Sequence, residues 1–161
     1  MYDSSIDLLD ALCAMPSVLE ALLHGCTQEQ ACTARGGDEG WSVVEVVCHL
    51  RDAEERALER MCSMRDVVSP HLVVYDQERW ARERNYAAAD LREALAAFIH
   101  FRGQHIAELE ALTADQWERM GQHEEQGHIT ISSQTLHIVS HDVIHAAQIA
   151  RQLHGVMASL S

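Results

Sequence analysis

The segment Ser132–His154, SSQTLHIVSHDVIHAAQIARQLH, carries the pattern that decides the fold. His137, His141, His145 and Gln148 follow one another at i, i+4, i+8 and i+11, which places them on one stripe of an α-helix with 3.6 residues per turn. Apolar side chains cover the flanks and nearly the whole opposite face of this helix. A helix that is apolar almost all round is buried on several sides, so the segment predicts a helix packed within a bundle.

Three other segments also show apolar residues at helical spacing. The clearest one begins at a capping box, in which Ser42 is the N-cap and Glu45 follows three residues later, and it continues to about Arg65. The other two segments cover about residues 4–24 and 88–112. Four long helices in one chain predict an all-α four-helix bundle.

Residues that break helical spacing mark the ends and connections. Pro16 predicts a kink or restart in the first helix, Gly103 predicts an interruption of the third, and Gly155 predicts the end of the last. The Gly-rich stretch 30–40 and the stretch 121–128 are predicted loops. The connection 66–87 between the second and third helices lacks a sustained apolar period and is unusually long, so it could cross the bundle end and leave its flanking helices parallel.

Composition limits the class of protein. The chain has 161 residues, is 47% hydrophobic, and contains only eight Gly and two Pro, which favours one helical domain over residues 1–161 and disfavours a sandwich or barrel. The formal net charge is −13, so we expect no binding to nucleic acid or to an anionic membrane. The acidic start, MYDSSIDLLD, differs from a signal peptide, and no apolar run is long enough to span a membrane. The expected location is cytoplasmic.

The histidine stripe predicts a metal site. Imidazoles at i and i+4 on a buried helix can both direct a ring nitrogen to one ion, which makes His141 and His145 candidate ligands. His49 is the candidate third ligand, because it lies on the second helix beside Val46 and Ala53, at the flank of the apolar face. Three neutral imidazoles with one open position are typical of a catalytic zinc site. The expected cofactor is a divalent metal ion, with zinc or nickel as first candidates, although imidazoles also suit iron and copper.

Several alternatives stay open at this stage. His137 could replace His145 geometrically, and Glu45 and Asp52 could contact the site or be solvated. A lone histidine is more often an ordinary core or surface residue, and we interpret His105 as one that could reach the core. The remaining histidines interpreted as solvated or helix-terminal are His24, His71, His100 and His154.

Two familiar metal motifs fit the sequence poorly. His141-Asp142-Val143-Ile144-His145 is similar to the HExxH of metalloproteases, but its aspartate is one methylene shorter than the glutamate base, which disfavours a peptidase. The one Glu-x-x-His match, at residues 125–128, falls in a predicted loop, which excludes a ferritin-like di-iron site.

The chain resembles the DinB-like (damage-inducible B) metalloenzymes, which include thiol-dependent S-transferases that use bacillithiol or mycothiol. The resemblance is carried by WSVVEVVCHLRD at residues 41–52, by residues 123–130, and by His137 followed by the pattern HxxxHxxQ at residues 141–148. It assigns His49, His141 and His145 as the metal triad, with His137 as a neighbour that orients the site. It also implies an up-down-down-up bundle and a homodimer. Arg102 lies in a region similar to the family's third helix, and we interpret it as part of a structural ion pair.

The leading functional hypothesis is a metal-dependent enzyme that acts on a small-molecule substrate, as a thiol S-transferase or a hydrolase. The resemblance adds a low-molecular-weight thiol as a second cofactor. The alternative is a non-catalytic, dimeric helical module that binds a metal or ligand in a stress response. In that case the face of the last helix would act as a subunit seam, formed by Val139, Val143, Ala146 and Ala150.

Overall fold

The computed structural model describes residues 4–37 and 40–159, and these ranges contain seven α-helices and five short strands. The first three residues of the acidic start and the last two of the predicted domain lie outside the described residues. The helices are α1 (Ser4–Leu22), α2 (Gln28–Thr33), α3 (Val43–Asp66), α4 (Gln77–Glu83), α5 (Leu91–Glu110), α6 (Ala114–Trp117) and α7 (Ile131–Ser159). The strands are β1 (Arg35–Gly36), β2 (Trp41–Ser42), β3 (His71–Leu72), β4 (Met120–His123) and β5 (Gly127–Thr130).

The four long helices form the predicted four-helix bundle. Helix α1 packs against α5 and α7, and α3 packs against the same two helices, so the order around the bundle is α1, α5, α3, α7. Side-chain contacts show that α3 runs antiparallel to α7 and parallel to α5, while α1 runs antiparallel to α5. This is the up-down-down-up order implied by the resemblance. For α3 and α7 the contacting pairs are His49–His141 and Ala57–Gln134. For α3 and α5 they are Glu54–Arg102 and Arg65–Glu108, and for α1 and α5 they are Leu12–Arg102 and Leu23–Arg92.

The bundle core consists of two apolar clusters with buried polar groups between them along the helices. One cluster surrounds Leu19, Val47, Phe98 and Ile149, and the other surrounds Leu12, Met61, Leu109 and Ile131. The buried polar residues that lie between these levels are His49, Glu54, Arg102, His105 and Asp142. The fold therefore places charged and ligating side chains in the middle of an otherwise apolar bundle.

The helix boundaries confirm the N-terminal prediction for α3 and correct three others. Ser42 and Glu45 form the predicted capping box, with the Ser42 amide donating to the Glu45 carboxylate at 2.8 Å. Helix α1 is continuous through Pro16, so the helix does not restart there, and α7 continues past Gly155, so Gly155 does not end it. Gly103 does not interrupt α5 either. An exposed glycine costs a helix only about 1 kcal/mol, which the long packed helices tolerate. None of the described helices is long and apolar enough to cross a membrane.

The predicted loops and the long connection contain short regular elements. Residues 30–40 include part of α2 and strand β1, which pairs with β2, and residues 121–128 include parts of the β4–β5 hairpin. The connection 66–87 contributes β3, which pairs in parallel with β4, and then α4. Gly121 leaves room for side chains of β3 and α3, because a Cβ atom there would lie 2.5 Å from the Leu72 side chain and 3.0 Å from the Met64 side chain.

Candidate metal centre

The three predicted histidines meet between α3 and α7. One ring nitrogen from each of His49, His141 and His145 can be chosen so that all three atoms lie within 4.8 Å of one another. The His49 and His141 Nε2 atoms are 2.8 Å apart. The ring centroids are separated by 4.9 Å for His49 and His141, 4.8 Å for His49 and His145, and 4.4 Å for His141 and His145. The structure thus brings together all three histidines that the sequence analysis predicted as metal ligands.

The helices position these rings through two simple relationships. His141 and His145 are one turn apart on α7, so their side chains share a face. The antiparallel packing of α3 brings His49 opposite them, and the Gln134 amide fixes this register by donating to the Ala57 carbonyl at 2.9 Å. His49 is 2% exposed, whereas His141 and His145 are partly buried.

The surroundings keep two of the imidazoles neutral. Burial, with the charge of His145 as a smaller cause, lowers the pKa of His49 to about 3. Burial and then the neighbouring His49 and His145 lower the pKa of His141 to about 2. Both rings therefore remain uncharged at neutral pH, which is the form that coordinates a metal ion.

Neighbouring side chains orient two of the rings. His145 Nδ1 lies 2.8 Å from the Gln148 Oε1 acceptor, so Nδ1 carries the proton and Nε2 retains its lone pair. The Gln148 amide donates in turn to the Gly36 carbonyl at 3.4 Å. The Trp41 ring packs on His49 at a centroid distance of 5.1 Å. Trp41 is itself tied to α7, because the Gln152 amide donates to its carbonyl at 2.6 Å.

His137 lies beside this cluster rather than in it. Its ring centroid is 6.2 Å from that of His141, and it is not a member of the three-nitrogen group. The same residue lines a cavity of about 60 Å³ that also reaches His141. Of the two positions that sequence spacing left open, the geometry favours His145 as the third ring and leaves His137 on the cavity wall.

A buried ion network lies directly next to the centre. Arg102 Nη2 donates to Asp142 at 2.7 Å and to Glu54 at 2.8 Å, and His105 Nδ1 lies 2.8 Å from Glu54. All four side chains are buried. The predicted structural ion pair of Arg102 is confirmed, and His105 does reach the core. Because Arg102 holds the Asp142 carboxylate, this aspartate is not placed as the base of a peptidase motif.

Sequence reasoning missed Glu54, although a signal was present. Leu50, Glu54, Ala57 and Met61 share one face of α3, so the glutamate interrupts an apolar stripe. Arg102 does the same on α5. Two opposite charges that interrupt two apolar stripes indicate a buried pair, since an isolated buried charge is too costly.

Asp52 differs from its expected solvated environment. Its carboxylate is 0% exposed and accepts a hydrogen bond of 2.5 Å from the Tyr86 hydroxyl. Arg51 and Arg84 lie 2.7 and 3.0 Å from the same carboxylate. Asp52 therefore ties the chain that follows α4 to the helix carrying His49. Glu45 instead caps α3 and pairs with Arg35 at 3.0 Å.

The donor set fits a divalent metal ion. His49 and His141 share one hydrogen bond with each other, and the Nδ1 atom of each is buried without a hydrogen-bond partner among the described residues. Buried polar atoms normally have partners, so the protein alone leaves this pair of rings poorly satisfied. Neutral imidazoles that converge in this way match the ligand preference of zinc, nickel and related divalent ions.

Comparison with known proteins places the chain in a family. YfiT from Bacillus subtilis (strain 168), described as a probable metal-dependent hydrolase, is 25% identical to this chain over 143 residues, which cover 86% of this chain and 80% of YfiT. The solved structure of YfiT, described as having an unusual four-helix bundle topology, superimposes with a TM-score of 0.83 at 24% identity over 96% of this chain and 90% of that one. The sequence profile of the DinB superfamily matches residues 11–149. The chain therefore belongs to the DinB superfamily.

Proposed function

We propose that this chain is a metal-dependent enzyme acting on a small molecule, with His49, His141 and His145 as the metal ligands. The observation that carries the proposal is the convergence of three ring nitrogens within 4.8 Å of one another, beside a cavity that His141 lines. The description of YfiT as a metal-dependent hydrolase supports hydrolysis as the reaction. A divalent ion held by the three imidazoles would supply Lewis acidity, which would polarise a substrate oxygen or stabilise a deprotonated nucleophile.

The protein contributes orientation and proton transfer. Gln148 fixes the tautomer of His145, and Trp41 covers His49, so the ligand set is held in place before substrate binds. We assign His137 as the group that accepts the proton of the attacking nucleophile, because it is the imidazole on the cavity wall that lies outside the triad.

Thiol transfer is the second candidate reaction. The resemblance to S-transferases within the family supports it, and the same geometry serves it, because the nucleophile would be a low-molecular-weight thiol in place of water. The two reactions are distinguished by adding a thiol and an electrophile to the zinc-loaded protein. Product that forms only with the thiol indicates transfer, and cleavage of ester or amide substrates without it indicates hydrolysis.

We also propose that the chain forms a homodimer through the outer face of α7. Leu136, Val143 and Ile144 are 56%, 57% and 62% exposed on this face. Copies of a chain with net charge −13 repel each other, so an uncharged apolar strip is the favoured place for contact. The predicted seam needs one correction, since Ala146 is buried in the bundle core.

Metal analysis of protein purified without a nickel column tests the proposed centre. We expect about one divalent ion per chain, and a loss of most of it in His49→Ala, His141→Ala and His145→Ala. His100→Ala, which changes an exposed histidine on α5, is the matched control and should retain the metal. Equal metal content in all five proteins would contradict the proposed ligands.

A further inference from the structure

A basic recess adjoins the histidine centre. The cavity of about 60 Å³ that touches His141 is also lined by Arg56 and Arg60 of α3, by Tyr75, and by Gln134 and His137 of α7. Arg56 follows His49 by seven residues, so it lies two turns, about 10 Å, further along the same helix. The groove between α3 and α7 therefore leads from the three imidazoles to two guanidinium groups.

The protein supplies only some of the hydrogen-bond acceptors and negative charges that these two arginines need. Arg60 Nη2 donates to the Val73 carbonyl at 2.6 Å, and Arg56 Nη2 donates to the same oxygen at 3.3 Å. The Nε atoms of both side chains are buried without a hydrogen-bond partner among the described residues. Arg56 pairs at 3.0 Å with Glu59, whose side chain is 57% exposed. Arg60 has its contact with the Val73 carbonyl but no salt bridge within the described part of the chain.

Two uncharged hydrogen-bond donors, His123 and Tyr75, lie near the recess. His123 is buried close to Arg60 and His137, and its Nδ1 accepts backbone hydrogen bonds from Glu125 and Gln126 at 3.3 Å, which leaves its Nε2 as the proton donor. Burial raises the pKa of Tyr75 to about 12, so its hydroxyl keeps its proton at neutral pH.

The acidic groups near Arg60 do not cancel this charge. Glu124, the second nearby carboxylate besides Glu59, is engaged with the Val74 amide at 2.7 Å and with His71 at 3.1 Å. Burial, and then the charge of Arg56, lower the pKa of Arg60, as expected for a cation whose partners do not offset the cost of desolvation.

We propose that Arg56 and Arg60 form an anion-recognition subsite, so that the substrate of the histidine centre carries a carboxylate or phosphate group that lies further along α3 than its reacting bond. A guanidinium fork matches both kinds of anion, and an anion in this recess would neutralise two adjacent cations. That the bound anion belongs to a substrate rests on the proposed function.

Anion binding by the full chain tests the subsite, measured by calorimetry with and without zinc. The probes are inorganic phosphate, acetate and the uncharged acetamide. We expect one anion per chain, no binding of acetamide, and affinity at least tenfold weaker in Arg60→Gln and Arg56→Gln. Arg60→Lys, which keeps the charge without the fork, should recover part of the affinity. Arg79→Gln, which changes an exposed arginine on α4, should bind as the natural chain does.

The outcomes separate the subsite from the metal centre. Phosphate or acetate binding that is unchanged in Arg60→Gln and Arg56→Gln, or binding of neither anion, overturns the subsite even when zinc binds normally. Anion binding that depends on the two arginines in a chain that takes up no zinc supports the subsite and contradicts the proposed enzyme. The anion that binds with the higher affinity shows whether a carboxylate or a phosphate is the recognised group. Thermal unfolding confirms that each variant is folded.

Discussion

Arg102 Nη2 lies 2.7 Å from Asp142 Oδ2 in the bundle core, one residue along α7 from the metal ligand candidate His141. The same guanidinium contacts Glu54 on α3 at 2.8 Å, so one arginine of α5 links the two helices that carry the three histidines. The link is rigid because all three side chains are buried and their charges have no access to water.

Replacement of Arg102 should destabilise the fold strongly. Arg102→Met leaves the Glu54 and Asp142 carboxylates buried without their cation, and breaking a buried ion pair in this way costs about 3–5 kcal/mol of unfolding free energy. Urea denaturation measures the change. Arg79→Met, which removes an exposed pair with Glu83, should change the unfolding free energy by less than about 1 kcal/mol. Similar values for both variants would contradict a structural role for the buried network.

Gln148 should tune metal affinity without being a ligand. Its Oε1 fixes the proton of His145 on Nδ1, and loss of such an orienting partner typically weakens metal binding by about 10–100-fold. Competition with a fluorescent zinc chelator compares Gln148→Ala with Gln104→Ala, an exposed glutamine on α5. We expect only the first variant to bind zinc more weakly, while both retain the metal at saturating concentration. An unchanged affinity in Gln148→Ala would remove this role.

The sequence was sufficient for the parts of the structure that depend on local patterns. The spacing of His141 and His145 fixed their common face, and Ser42 with Glu45 located the start of α3. The pairing of His49 with α7 needed the order of helices around the bundle, which local spacing does not contain. The β4–β5 hairpin was missed because its residues show too little β-branched alternation.

His137 should be needed for turnover and not for metal binding. It lines the cavity beside His141 but stands outside the three-nitrogen group, so His137→Ala should keep about one zinc per chain. Loss of a general base typically lowers the rate by about 100-fold or more, and we expect kcat to fall by this amount on whichever substrate is turned over. Loss of the metal in His137→Ala would identify it as a ligand instead.

The outer face of α7 should hold two copies together. A glutamate at Val143 or Ile144 places like charges opposite each other across a two-fold interface, so Val143→Glu with Ile144→Glu should convert a dimer into a monomer. Light scattering after size-exclusion chromatography measures the mass. Val68→Glu is the control, because Val68 is 87% exposed beyond the end of α3 and outside this face. The face is not the interface if the double variant stays dimeric.

The metal-free protein should lose stability as the pH falls below about 6.5. Both imidazoles gain protons near pH 6.5 when the chain is unfolded, whereas burial lowers the folded pKa of His49 to about 3 and of His141 to about 2. The unfolded state therefore binds more protons in this window, and each histidine lowers the unfolding free energy by about 1.4 kcal/mol per unit of pH. Asp142 acts in the opposite direction, because burial raises its folded pKa to about 6, but one carboxyl offsets only one of the two imidazoles.

The net effect should be a loss of about 2–3 kcal/mol between pH 6.5 and pH 5, measured by urea denaturation in the presence of a chelator. The variant His49→Phe with His141→Phe removes both imidazoles and should reverse the slope, since the Asp142 carboxyl then dominates this window. His100→Ala should follow the natural chain. A stability that rises as the pH falls from 6.5 to 5 in the natural chain would show that the two rings are protonated as easily in the folded protein as in water, because only the effect of Asp142 would then remain.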